Sequence, residues 1–179
     1  RSSLRNLTAC ESLAPALPLR GRRLYSGLYL NELLARLMHH EDPHQNLFDH
    51  YAATLALLAD SAAEAESDAA DEEIPLRRFE LVLLEELGYG FDLASDGSDG
   101  SALDESGWYQ FHEGHGLVRA SQDTMDRMPR YRGADLARIA RGDFSGSALH
   151  CAKRLMRQVL SAHLGNEPLK SRELFQRPA

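Results

Sequence analysis

Bases are missing from two stretches of this sequence. Residues 60–73 hold seven acids and residues 92–105 hold five, with no Lys or Arg in either. The formal net charge of -7 therefore describes no part of the molecule well. Setting those 12 acids aside leaves 15 against all 20 Lys and Arg, a remainder of about +5. A cationic body carrying two acidic loops attracts phosphate or a partner's acidic segment at close range, while the loops repel the same ligands elsewhere.

Cysteine is equally scarce. Cys10 and Cys151 are the only two; they have no metal-ligand spacing and are too few for a disulfide scaffold, which fits a reducing cytosol. No apolar run approaches the roughly 20 residues that span a bilayer, and no basic start leads into a secretory core segment, so a cytoplasmic location without a membrane partner is expected. The chain opens on Arg1 instead of Met, as an expressed fragment, a processed product or the ordered part of something longer would. There is no G-x-S-x-G elbow, no Walker loop and no dinucleotide glycine pattern. His39, His40, Glu41, Asp42 and His44 crowd one link but lack the H-E-x-x-H register that places two imidazoles on one metal, and His112 and His115 flank a glycine turn with no paired cysteines nearby. No metal and no cofactor is assigned.

What is present is enough for a globular body. A chain of 179 residues with 43% hydrophobic content builds one domain, or one plus a small appendage. Residues 1–19 hold Pro15 and Pro18 and little periodicity, an extended entry segment. Residues 22–38 read as a helix with Leu24, Leu28, Leu34, Ala35 and Met38 in its buried stripe; Asn31 falls inside that stripe and is expected to satisfy buried polar groups. A link with Pro43 leads to a second helix, 46–59, whose apolar positions are Leu47, Tyr51, Leu55 and Leu58. Residues 60–73 read as a solvated, mobile loop because seven acids repel one another along a helix, although the alanines support a frayed helical extension. Pro75 fits the first turn of a third helix, which runs to Leu87 and stops at Gly88. Residues 92–105, with Gly97, Gly100 and several serines, read as a flexible loop. Residues 108–111 and 117–120 flank a glycine turn as a small β-hairpin. Helices at 133–140 and 147–164, the latter ended by Gly165, and a basic turn at 170–176 close the chain.

Two helical surfaces hold more than a core requires. In the third helix Leu76, Phe79, Val82, Leu83, Leu84 and Leu87 form the buried side, whereas Leu81 lies nearly opposite, near Arg77. Either Leu81 packs under a loop with Arg77 solvated, or the two form a partner site in which an arginine clamps a carboxylate beside an apolar pocket. In the long C-terminal helix Leu149, Ala152, Met156, Val159, Leu160 and His163 define the buried face, and Lys153, Arg154 and Arg157 form a cationic ridge beside it. Lys170, Arg172 and Arg177 extend the ridge.

Three stretches carry a family resemblance. Leu24-Tyr25-Ser26-Gly27-Leu28-Tyr29-Leu30-Asn31-Glu32-Leu33-Leu34, then Leu76-Arg77-Arg78-Phe79-Glu80-Leu81 with Leu87-Gly88-Tyr89-Gly90, then Pro168-Leu169-Lys170-Ser171-Arg172-Glu173-Leu174-Phe175 resemble successive signatures of RecO, the bacterial recombination mediator and annealing family. The resemblance runs in order from about Arg20 to Gln176. It implies a mainly α fold, a helical bundle carrying a small β-hairpin that is a degenerate, zinc-finger-like insertion; residues 90–120 lack the four cysteines that hold zinc in some members. The implied organisation is an entry segment at 1–19, a possible remnant of a missing OB-fold domain, then the helical domain's first part at 20–90, the acidic loop and hairpin at 91–120, and its second part at 121–179.

The resemblance also implies function. Family members are non-enzymatic, bind the acidic, phenylalanine-ended C-terminal tail of the single-stranded-DNA-binding protein, join RecR, bind single- and double-stranded DNA, and support annealing and RecA loading in the bacterial cytoplasm at the nucleoid. Carried onto this chain, Arg77, Leu81, Arg78, Lys153 and Arg157 are the expected tail-binding residues, and Arg154, Lys170 and Arg172 the expected nucleic-acid contacts. The alternatives are a histidine-dependent metal hydrolase or nuclease, or a helical adaptor unrelated to DNA.

Overall fold

A computed structural model describes residues 8–12, 15–39, 42–60, 69–121, 128–165 and 167–175. The fold is mainly helical: α1 (Gly21–Leu37), α2 (Gln45–Asp60), α3 (Ala69–Glu86), α4 (Gly133–Ala140), α5 (Ser147–Leu164) and α6 (Lys170–Leu174), with β1 (Trp108–His112), β2 (Gly116–Arg119) and β3 (Tyr131–Arg132). The strands form one antiparallel sheet in the order β2-β1-β3. One core runs through the molecule, with Leu30, Leu33, Leu83, Leu117, Leu136 and Leu155 fully buried. Among the described residues, no helix is long and apolar enough to cross a membrane.

The expected stripe of α1 is out of phase with the observed one. Leu24 and Leu28 are 43% and 42% exposed, and the buried face is Ser26, Gly27, Tyr29, Leu30, Leu33 and Leu37. Close packing selects that face. A Cβ on Gly27 would lie 2.8 Å from Leu19 and 3.6 Å from Leu55 of α2, so the helix presents its smallest residues where its neighbours approach. Asn31 is exposed and accepts a hydrogen bond from the Tyr51 hydroxyl at 2.6 Å, tying α1 to α2 at the rim instead of serving a buried group.

α3 begins at Ala69, so residues 69–73 of the first acidic tract are helical and Pro75 lies inside the helix, not in its first turn. Partners remove the repulsion that favoured a loop. Glu72 accepts from the Ser26 hydroxyl at 2.5 Å and lies 3.7 Å from Arg22, and Glu73 pairs with Lys153. Residues 61–68 lie outside the described residues. The helix ends as its glycine predicts: Gly88 takes φ +77, and the Tyr89 N–H reaches back to Leu84.

The second acidic tract folds its carboxylates onto its own backbone. Asp92 accepts from the Ala94 N–H and Ser95 hydroxyl, Asp96 from the N–H groups of Ser98 and Arg119, Asp99 from the Ser101 N–H, and Asp104 from the Ser106 N–H. Bonds from Ser95 and Ser106 hold the carboxyls of Asp92 and Asp104 below their ordinary range. Asp96 is buried, Ser95 bridges Ala102, and a Cβ on Gly97 would stand 1.6 Å from the His115 carbonyl oxygen, so glycine alone fits against the hairpin.

The hairpin pairs Phe111 with Leu117 as expected, and β3 adds the third strand through Tyr109–Tyr131 and Trp108–Arg132 pairing. The α5 face is buried from Ala148 to Leu160, with His163 half-buried and stacked on Tyr89 at a centroid distance of 3.8 Å. α6 returns to α1. Glu32 accepts the N–H groups of Lys170 and Ser171, each at 2.9 Å, and Arg36 donates to the carbonyls of Leu164, Glu167 and Pro168 at 2.5, 2.8 and 3.3 Å.

Candidate functional site

The cationic body converges on a basin of about 420 Å³ where α1, α3, α5 and α6 meet. α5 contributes Lys153 and Arg157, one turn apart, α6 contributes Arg172, and α3 contributes Arg77. Leu76, Phe175 and the ring of Tyr29 supply the apolar part of its wall, and Glu72 and Glu73 line it beside the cations. Arg22 stands at the rim with its guanidinium 5.4 Å from the Phe175 ring centroid, and Tyr25 meets that ring edge-on at 5.7 Å. A basin with cations around an apolar lining accepts a ligand that is anionic and carries an aromatic or aliphatic group.

Arg77 is the deepest of the cations, 7% exposed, and its Nη2 lies 3.0 Å from Oε1 of Glu80, which is 0% exposed. The Tyr29 hydroxyl donates to the same carboxylate oxygen at 2.5 Å. Burial pushes the Glu80 carboxyl upward, while Arg77 and the Tyr29 hydrogen bond pull it down; the balance leaves it raised. Burial and the neighbouring Glu80 charge raise the Tyr29 hydroxyl well above its ordinary range. Among the described residues, Arg77 Nε and Glu80 Oε2 have no hydrogen-bond partner. This is a buried ion pair that shapes the wall of the basin more than it offers a free charge.

The expected pairing of Arg77 with Leu81 is not made. Arg77 turns in to Glu80, whereas Leu81 lines a second groove of about 790 Å³ on another flank of α3, with Val82, Phe91, Ile139 and Phe144. Arg78 belongs with Leu81 there, its guanidinium 5.7 Å from the Phe144 centroid and donating to the Gly142 carbonyl at 3.4 Å. The five expected tail-binding residues thus divide into Arg77, Lys153 and Arg157 in the basin and Arg78 and Leu81 in the groove.

The cationic ridge divides as well. Lys153 and Arg157 face the basin, but exposed Arg154 lies over the Tyr131 ring at 5.5 Å, on the sheet side. Arg172, expected on nucleic acid, lines the basin; Lys170 is exposed beside it, and Arg177 lies outside the described residues. Reasoning from sequence missed Arg22, Phe175 and the acids Glu72 and Glu73. Phe175 was within the resembling C-terminal stretch, and Glu73 stands one helical turn before Arg77, so the signals were present.

Among the described residues no group of three or more His, Cys, Asp or Glu is placed to hold a metal ion. His44 sits between Asp42 and Glu86, each at 3.3 Å, and His40 lies outside the described residues.

Residues 19–173 match the family model described as recombination protein O C terminal. DNA repair protein RecO of Pseudomonas putida (strain W619) is 43% identical over 178 residues, covering 99% of this chain and 73% of that protein. DNA repair protein RecO of Pseudomonas aeruginosa (strain LESB58) is 44% identical over 176 residues, 98% of this chain and 70% of that protein. That of Stutzerimonas stutzeri (strain A1501) is 44% identical over 177 residues, with 98% and 70% covered. The chain belongs to the RecO family, a family of DNA repair and recombination.

Proposed function

We propose that this chain is the helical part of a non-enzymatic recombination mediator that docks the acidic, phenylalanine-ended C-terminal tail of the single-stranded-DNA-binding protein in the basin between α3, α5 and α6. The supporting observation is the convergence of Arg77, Lys153, Arg157 and Arg172 on walls formed by Leu76 and Phe175. Arg157 is exposed and has no acidic partner among the described residues, so it can take a tail carboxylate without first breaking a pair. With RecR, such a protein supports annealing and RecA loading on DNA in the bacterial cytoplasm, at the nucleoid. Incubation with single-stranded DNA, with and without divalent ions, is expected to leave the DNA intact.

A labelled peptide with the tail sequence tests the site by fluorescence anisotropy. Binding is expected to weaken as salt rises and to fall about 10-fold in Arg157→Glu, roughly 1.4 kcal/mol. Equal affinity of wild type and Arg157→Glu would sink the basin as the tail site. A second reading places the tail's aromatic end in the groove, because Arg78 rims an apolar pocket that includes Leu81 and Phe144. Arg78→Glu separates the readings: it weakens the peptide only if the groove is used.

A further inference from the structure

We infer that Trp108 and Arg132 form a stacking site for an unpaired base of single-stranded nucleic acid, with the Arg132 guanidinium placed for its phosphate. The site lies on the inserted sheet, built by elements other than those of the acidic-tail basin, and it rests on the family's DNA-associated role without depending on the tail reading.

Trp108 is the only tryptophan in the chain and opens β1, with 46% of its surface exposed. An aromatic ring of that size left in water loses the burial that stabilises most tryptophans. Its position is not loose. The Trp108 carbonyl accepts the Ala120 N–H at 2.8 Å on one side, and β3 pairs it in register with Arg132 on the other, so the backbone beneath the ring is held by two strands. The exposed Arg132 guanidinium lies 5.9 Å from the ring centroid. Tyr131, the neighbour of Arg132, faces the other side of the sheet, where it is buried under Arg154 of α5 and donates its hydroxyl to Gln158 at 2.6 Å, which fixes β3 beneath Arg132.

The charge around the ring favours phosphate. Asp104 and Glu105, the acids on the loop that packs against Gly133, are engaged by Arg119 at 3.0 Å and Arg141 at 3.4 Å. Among the described residues Arg132 has this ring contact but no acidic partner. An aromatic face beside a guanidinium without an acidic partner stacks a base and neutralises its phosphate, and every base has a face to offer, so the recognition is independent of sequence. A duplex keeps its bases in its own stack and has none to place on the ring.

Because Trp108 is the single tryptophan, its emission reports occupancy of this site alone. The intact chain is titrated at low salt with a labelled oligothymidylate, following anisotropy and Trp108 emission together. Quenching that saturates with the anisotropy change is expected, with no quenching by a duplex of equal length. Trp108→Ala and Arg132→Glu are each expected to weaken the oligonucleotide at least 5-fold, Trp108→Phe by less than Trp108→Ala, and all three variants to bind the acidic-tail peptide as wild type does. Undisturbed emission at saturation, wild-type affinity in Trp108→Ala, or no oligonucleotide binding at low salt would overturn the site. Normal tail binding in the same samples separates such an outcome from a failure of the docking reading or of folding.

Discussion

The carboxylate of Glu32 in α1 closes on Ser171 at the amino end of α6, accepting its backbone N–H at 2.9 Å and its hydroxyl at 2.6 Å across 139 positions of sequence. A carboxylate there satisfies N–H groups that the first turn leaves without intrahelical partners. Since α6 carries Arg172, and Phe175 follows it, this cap also sets the position of one wall of the basin.

Glu32→Ala is expected to cost about 1 kcal/mol of stability, as loss of a helix cap does, and to weaken the tail peptide. The effect depends on pH. Burial raises the Glu32 carboxyl, but the bonds from Ser171 and Lys170 outweigh it and hold the group below its usual 4.5. The stabilisation is therefore present above 4.5 and is lost as pH falls through the lower folded value. Denaturant titrations of wild type and variant check this: their difference shrinks in acid.

Glu73→Gln is expected to raise affinity for the acidic tail by about 2- to 5-fold, the scale of one partly exposed ion pair. Glu73 occupies Lys153 in the free protein, so an incoming carboxylate competes with it. Glu73 is the sharper substitution than removal of the whole tract, because Glu72 is buried against Ser26 and its loss disturbs α1. The same peptide titration decides, and unchanged affinity would reduce Glu73 to a helix residue that happens to face a lysine.

Arg77→Ala is expected to destabilise the fold by about 3 kcal/mol, because it strands the Glu80 carboxylate without its cation. The double substitution Arg77→Met with Glu80→Leu recovers most of that loss. In Arg77→Ala the Glu80 carboxyl is raised by burial with less to oppose it, so stability is fullest below the carboxyl's ordinary range and falls as pH rises through the folded value. Thermal melts at about pH 5.5 and 8 show the larger deficit at the higher pH.

Gly97→Ala is expected to cost about 3 kcal/mol, the upper part of the range for a side chain without space, because its Cβ would overlap the His115 carbonyl at 1.6 Å. Near-wild-type stability on chemical denaturation would show the loop to be separable from the hairpin.

Local punctuation made part of this fold legible in the sequence. The final long helix runs from Ser147 to Leu164 as read, because Gly146 and Gly165 bracket it, and Gly88 stops α3. The face of α1 was not legible because leucines surround that helix; the choice is made by Leu19 and Leu55 closing on Gly27, a tertiary effect. The second acidic tract did carry a local signal. An Asp two residues before a Ser recurs at Asp96, Asp99 and Asp104, and each folds its carboxylate onto the backbone N–H of that serine. Net charge obscured that pattern. Helical spacing and the family resemblance pair Arg77 with Leu81, and neither foresees that the guanidinium turns inward to Glu80.

The Arg36 clasp on the carbonyls of Leu164, Glu167 and Pro168 has a temporal consequence. Its bonds span at least 128 residues, so the basin has no existence until nearly the whole chain has been made. At roughly 5–20 residues per second of synthesis, α1 is exposed for about 10 s before the segment that completes its surroundings leaves the ribosome. Leu19, made before α1, and Leu55 of α2, the next helix made, are the neighbours of Gly27, so that part of its inner face can be covered long before α6 arrives.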